Sequence, residues 1–149
     1  MCSSDLGGGG WRNEDFDAEL GRDRATRRVR VTGFVSEERL VELYSGAGCF
    51  LFPSLGEGFG LPPLEAMACG APVVASDRPA VPEVTGDAAL LAPPHDVEAL
   101  AGHVSRVLLD GRLAAELRAA GLARARELNW TRAAAETEGV YREALEIGT

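Results

Sequence analysis

The chain has 149 residues, 46% of them hydrophobic and 26% charged, enough for one globular domain with a core of its own. Its formal net charge is −8 and all 15 basic residues are arginine, so neither nucleic acid nor an anionic membrane is an expected partner. No apolar run approaches the roughly 18–20 residues that cross a bilayer. The start, MCSSDLGGGG, has neither the basic end nor the apolar stretch of a secretory signal, so a cytoplasmic domain is expected.

Residues 1–10, with four consecutive glycines, read as a flexible or non-native tail, and 11–149 as the folded part. A weak helical pattern through Phe16 and Leu20 follows Trp11. Six arginines between Arg12 and Arg30 alternate with Asp and Glu, the pattern of a solvated, salt-bridged surface. Arg28 to Thr32, RVRVT, alternates and is rich in valine, which predicts a strand. Ser36, followed by Glu37 and Glu38, is a helix N-cap with acids in the first turn, and Gly46 is the expected stop.

Cys49 to Phe52 is a short, continuously apolar run, as in a parallel strand covered on both faces. A glycine-rich turn leads to a helix over Pro62 to Cys69, its prolines in the first turn and Gly70 beyond its end. Pro72 to Ala75 is the next strand, Val81 to Val84 a helical turn, and Ala89 to Leu91 a last small strand. Three helices complete the chain. Asp96 caps one through Leu100, Val104, Val107 and Leu108, the second carries Leu113, Leu117 and Leu122, and Asn129 caps the third. Strands alternating with helices predict an α/β fold, a Rossmann-like parallel sheet with flanking helices.

In such a sheet, ligands bind beyond the carboxyl ends of the strands. The turn after Phe52 lies there, and Gly56, Gly58 and Gly60 let the backbone approach a ligand. The helix N-terminus that follows favours a phosphate. Glu57 and Glu65 add two carboxylates, awkward beside a phosphate unless they accept hydrogen bonds from hydroxyls on either side of it. A sugar nucleotide has such hydroxyls on both sides of its diphosphate. The plainer alternative makes Glu57 a solvated loop residue and Glu65 part of the helix surface. A glycosidase using the two as acid and nucleophile is a further one.

Other reactive residues point nowhere specific. Cys2, Cys49 and Cys69 have no metal or disulfide spacing, and Cys49 and Cys69 suit small buried hydrophobes. His95 and His103 read as surface histidines, Arg78 as a loop arginine near the ligand end, and Trp11 and Trp130 as packing residues. Ser54 lacks the GxSxG context of a nucleophile elbow.

The segment EGFGLPPLEAMACGAPVVAS resembles the E-x(7)-E signature of the retaining family 4 glycosyltransferases, glycosyl transferases group 1 type, of GT-B fold. RVRVTGFVSEERLVELYSGAGCFLFPS, VPEVTGDAALLAPPHDVEAL and ELNWTRAAAETEGVYREAL extend the resemblance, and GGGGWRNEDF is similar to a stretch in some mannosyltransferases. The resemblance implies a partial C-terminal nucleotide-sugar-binding domain over 11–149. Glu57, the residue of catalytic importance, would hold donor hexose hydroxyls. Gly58, Phe59, Gly60 and Leu61 would line the sugar and diphosphate, with backbone N–H groups from the last three. Glu65 would hold the ribose, and Phe34 and Val35 would border the base. The implied reaction is hexosyl transfer with retention from a GDP- or UDP-hexose donor, first of all GDP-mannose, with no cofactor and no metal.

The match also implies a missing N-terminal acceptor-binding half. The family's Arg/Lys pair against the diphosphate has no counterpart here, and the chain contains no lysine. Little activity is therefore expected of this chain alone, and a non-catalytic nucleotide-sugar-binding remnant is the alternative.

Overall fold

The structure is a computed structural model and describes residues 29–147. The expected tail, the weak helix after Trp11 and most of the arginine-rich stretch lie outside the described residues.

Helix α1 spans Glu37–Ser45. Ser36 caps it, its side chain accepting from the Arg39 N–H at 3.3 Å, and the chain leaves it at Gly46. Strand β1, Phe50–Phe52, leads through the glycine turn into α2, Leu61–Ala68. Strand β2, Val73–Ser76, is followed by the short helix α3, Val81–Thr85, a 3-10 turn at Gly86–Ala88, and β3, Ala89–Ala92. Helices α4 (Val97–Leu109), α5 (Gly111–Glu127) and α6 (Trp130–Ile147) complete the order. Asp96, Asp110 and Asn129 cap them, accepting from the N–H groups of Ala99, Leu113 and Arg132 respectively.

The three strands form one sheet in the order β1-β2-β3, parallel throughout, with Phe52 opposite Ala75 and Ala75 opposite Leu91. All three therefore end at the same edge, where the segments 53–60, 77–80 and 93–96 lie together. Alternation along the strands sends side chains to opposite faces. Phe50, Phe52, Val73 and Ala75 pack on one face with Tyr44, Ala66, Met67 and Val81, so α1, α2 and α3 cover it. Leu51, Val74 and Ala92 pack on the other with Leu100, Val107 and Leu117 of α4 and α5. Burial on both faces is why these strands read as unbroken apolar runs.

Three expectations need correction. The strand expected over Arg28–Thr32 begins at a residue outside the described ones, and its described part, 29–32, forms no strand although its alternation is strand-like: a strand is completed by a partner's backbone, and among the described residues β1 pairs with β2. His103 is half-buried on the sheet side of α4, its Nε2 3.3 Å from the Leu91 carbonyl, rather than on a polar face. Trp130 is 83% exposed at the start of α6 instead of packed into a core.

Candidate donor site at the carboxyl edge of the sheet

The turn between β1 and α2 is built around Ser54, Gly56 and Gly60. Gly60 is the N-cap of α2 with φ +86°, a left-handed conformation that other residues adopt only at a cost. Leu61 is the first helical residue, so Pro62 and Pro63 take the next two places and contribute no N–H. The free donors at this helix start are therefore narrowed to the backbone around Phe59, Gly60 and Leu61, the stretch to which the family resemblance assigns backbone N–H donors. Pro63, Ala66 and Met67 anchor the buried side of α2.

Glu57 is half-buried, and its Oε1 accepts a hydrogen bond from the Ser54 hydroxyl at 3.0 Å. The same hydroxyl lies 3.0 Å from the Gly56 carbonyl and 3.3 Å from the Gly56 N–H, which donates to it. Sequence reasoning weighed Ser54 only as a nucleophile and missed it as a partner of Glu57. The available signal was its spacing, a hydroxyl two residues before a turn glycine and three before an acid, a local pattern typical of serine turns.

Glu65 is exposed on the outer side of α2 and lines a cavity of about 440 Å³ with Phe59 and Leu61. The far wall comes from the α5–α6 junction, with Leu128, Asn129 and Trp130. Arg132, the cation in the lining, is held by Glu136 at 2.6 Å, and Glu127 of the same wall is paired with Arg124 at 2.9 Å, so neither Arg132 nor Glu127 is turned to Glu65 as a partner. Glu65 is left as a carboxylate in a mainly apolar hollow, suited to ligand hydroxyls and ill suited to a phosphate.

The structure thus brings Phe59, Leu61 and Glu65 together around one cavity, while Glu57 is held separately in the turn with Gly58 exposed beside it. Phe34, 88% exposed, and Val35 lie in the segment before α1 and are not part of that lining. Beneath Glu65, Tyr44 is buried and its hydroxyl has no hydrogen-bond partner. Its ionisation is pushed up to about 12, first by burial and then by the negative charge of Glu65 and the proximity of Cys69. On the neighbouring loop after β2, Arg78 meets Asp77 only at 3.5 Å and its Nε is buried without a partner. Among the described residues, no group of three or more His, Cys, Asp or Glu is placed to hold a metal ion, and no helix is long and apolar enough to cross a membrane.

The sequence profile of the glycosyl transferases group 1 family matches residues 7–124. The chain belongs to this family. Among individual proteins, it is 43% identical over 122 residues to the O-antigen chain mannosyltransferase B of Escherichia coli, covering 80% of this chain and 32% of that protein. It is 40% identical over 136 residues to an MMP alpha-(1->4)-mannosyltransferase of Mycolicibacterium hassiacum, covering 89% of this chain and again 32% of the relative. The chain therefore spans about a third of the length of these curated relatives. Its fold is similar to that of sucrose-phosphate synthase from Thermosynechococcus elongatus, with a TM-score of 0.78 and 33% identity, over 98% of this chain and 37% of that one. The α/β architecture, a parallel sheet with flanking helices, is that of GT-B glycosyltransferases.

Proposed function

We propose that this domain binds a nucleoside diphosphate hexose and supplies the donor side of a retaining, family 4 hexosyl transfer. The observation that carries the reading is the β1–α2 junction. At the carboxyl edge of a parallel sheet, a left-handed glycine opens a helix start. One carboxylate is held ahead of it by Ser54, and a second lies on the first turns of the helix beside a cavity. The backbone around Phe59, Gly60 and Leu61 would meet the diphosphate, Glu57 the hexose hydroxyls, and Glu65 the ribose. Phe34 and Val35 are proposed to border the base.

The chemistry asks for no protein nucleophile. Charge on the departing diphosphate is met in this domain by the fixed backbone dipoles at the α2 start, and the hexose is held by Glu57 so that its anomeric carbon faces the acceptor. No cofactor or metal is assigned a part in this proposal. The mannosyltransferase relatives favour a mannosyl donor, GDP-mannose first. Acceptor binding is assigned to protein outside this domain, in keeping with the third of the relatives' length that the chain spans.

Titration calorimetry of GDP, UDP, GDP-mannose and UDP-glucose against the chain tests the reading. Glu65→Ala is expected to weaken both a sugar nucleotide and its parent diphosphate by about 1–3 kcal/mol, the value of a charged hydrogen bond. Glu57→Ala is expected to weaken the sugar nucleotide alone. Equal affinities in wild type and both variants would sink the assignment. Binding without any sugar transfer when the chain is combined with an acceptor half would favour a non-catalytic donor-binding role.

A further inference from the structure

We infer that Ser54 is a positioning residue that sets the rotamer of Glu57 for the donor sugar. The inference rests on the reading of Glu57 as the hexose-binding carboxylate. Ser54 follows Pro53, two residues beyond the carboxyl end of β1 at Phe52. Its hydroxyl takes a hydrogen bond from the Gly56 N–H and gives one to Glu57 Oε1, a relay of three groups within four residues. The hydroxyl has one proton and two acceptors at 3.0 Å, the Glu57 carboxylate and the Gly56 carbonyl. The ionised carboxylate is the stronger acceptor and takes it. The incoming N–H bond polarises the hydroxyl further in the same direction.

The turn has little else to hold it. A Cβ built on Gly56 or on Gly58 would meet nothing within 4 Å, and Leu55 between Ser54 and Gly56 is exposed. Leu55, Gly56 and Gly58 contribute no packing to this segment, and the Ser54 hydroxyl is the side-chain tie that orients Glu57. With Oε1 held by Ser54, Oε2 is turned to a ligand, and one carboxylate oxygen is preorganised for a hexose hydroxyl. A glutamate free to rotate would lose part of its binding energy to being ordered at the moment of binding. The expected signature is selective: contacts to the sugar weaken while contacts to the nucleotide remain.

The test is calorimetric titration of the full chain with GDP-mannose against GDP, and with UDP-glucose against UDP, taking the pair that wild type binds. Ser54→Ala is expected to weaken the sugar nucleotide about 5–10-fold, the size of one lost hydrogen bond, and to leave the bare diphosphate unchanged. Ser54→Thr keeps the hydroxyl and is expected to restore the preference. In a Glu57→Ala background, adding Ser54→Ala is expected to change nothing further. A wild-type preference in Ser54→Ala, or an equal loss for both ligands, overturns the positioning role. If the alanine variant does not fold, Ser54→Cys, a weaker donor, is expected to show an intermediate loss, and an unchanged preference there overturns it equally. Failure of the underlying reading looks different: wild type would bind sugar nucleotide and diphosphate alike, or Glu57→Ala would leave the preference intact, and either result removes the donor role and Ser54's part with it.

Discussion

Gly121 of α5 lies directly over Met67 of α2: a Cβ placed on the glycine would stand 3.1 Å from Met67 Cγ, 3.3 Å from its Cβ and 3.6 Å from its Cα. Met67 is fully buried, so α5 presses on the inner side of the helix whose outer side carries Glu65. The absence of one side chain on α5 lets the site helix sit where it does.

Substitution at Gly121 sets two effects against each other. Alanine in a helix interior gains about 1 kcal/mol over glycine, while a contact this tight with atoms close to the α2 backbone costs a similar amount. Gly121→Ala is thus expected within about 1 kcal/mol of wild type, and Gly121→Val, with two more carbons and a poorer propensity, about 2–3 kcal/mol less stable. Denaturant midpoints of the two variants check this. A valine variant as stable as wild type would show that α2 and α5 are not so closely packed.

Ala80, the residue ahead of α3, has φ +73° and ψ −39°, the single non-glycine with positive φ among the described residues. Such a conformation costs an L-residue on the order of 1–3 kcal/mol. Ala80→Gly relieves it and gives back less than about 1 kcal/mol through the greater freedom of the unfolded chain. A gain of roughly 0.5–1 kcal/mol is expected, read as a higher melting temperature. A lower one would contradict the strained backbone.

Arg124 ties α5 to the end of α3. Its Nε donates to the Val84 carbonyl at 2.9 Å and its Nη2 to the Glu83 carbonyl at 2.6 Å, while Nη1 meets Glu127. The two carbonyls belong to the last turn of a five-residue helix, where intrahelical partners have run out. Arg124→Ala is expected to cost about 1–3 kcal/mol. Arg124→Lys should recover only part of it, because one ammonium cannot reproduce the fork. Amide exchange in α3 should accelerate in both variants more than in α4, and uniform exchange would argue against a local tie.

Tyr44 carries a pH prediction. Its folded-state ionisation lies near 12 against an ordinary value of 10.0. Between these values an unfolded chain releases the phenolic proton and the native chain keeps it, so the unfolded state is favoured as pH rises. The contribution is complete below pH 10 and falls away toward pH 12, by on the order of 2 kcal/mol. Tyr44→Phe removes a buried hydroxyl that has no partner, so it should be near neutral at pH 7 and less sensitive to alkali. Urea midpoints of both proteins across that range provide the measurement, and parallel curves would contradict the effect.

Much of the fold was readable because its signals are local. Ser36, Asp96 and Asn129 cap the helices they precede through bonds spanning three residues, and Gly70, with φ +78°, stops α2 where a left-handed residue was needed. The apolar runs at Cys49–Phe52 and Pro72–Ala75 marked two strands before any partner was known, and the structure buries Val73–Ser76 fully and Phe50–Phe52 in part. Val29–Thr32 shows where this fails, since alternation describes a side-chain pattern and a strand exists only when another backbone completes its hydrogen bonds. His103 and Trp130 were misjudged for a related reason. The helical period says which residues share a face, but the packed neighbour decides whether that face meets a carbonyl, a cavity or water.

The sequence by itself determined the order of elements and the placing of the glycine turn and its two acids at a strand's carboxyl end. Capping, turn and burial preferences act over a few residues and are written in the chain. Only the tertiary structure decided that Glu57 is tied to Ser54, that Glu65 faces a hollow walled by α6, that Tyr44 lies close to Glu65, and that Gly121 of α5 packs on Met67 of α2. The Glu57 tie depends on how the turn folds back on itself. The others join residues from 21 to 71 positions apart, and their geometry follows from how the helices pack across the sheet, which no local pattern encodes.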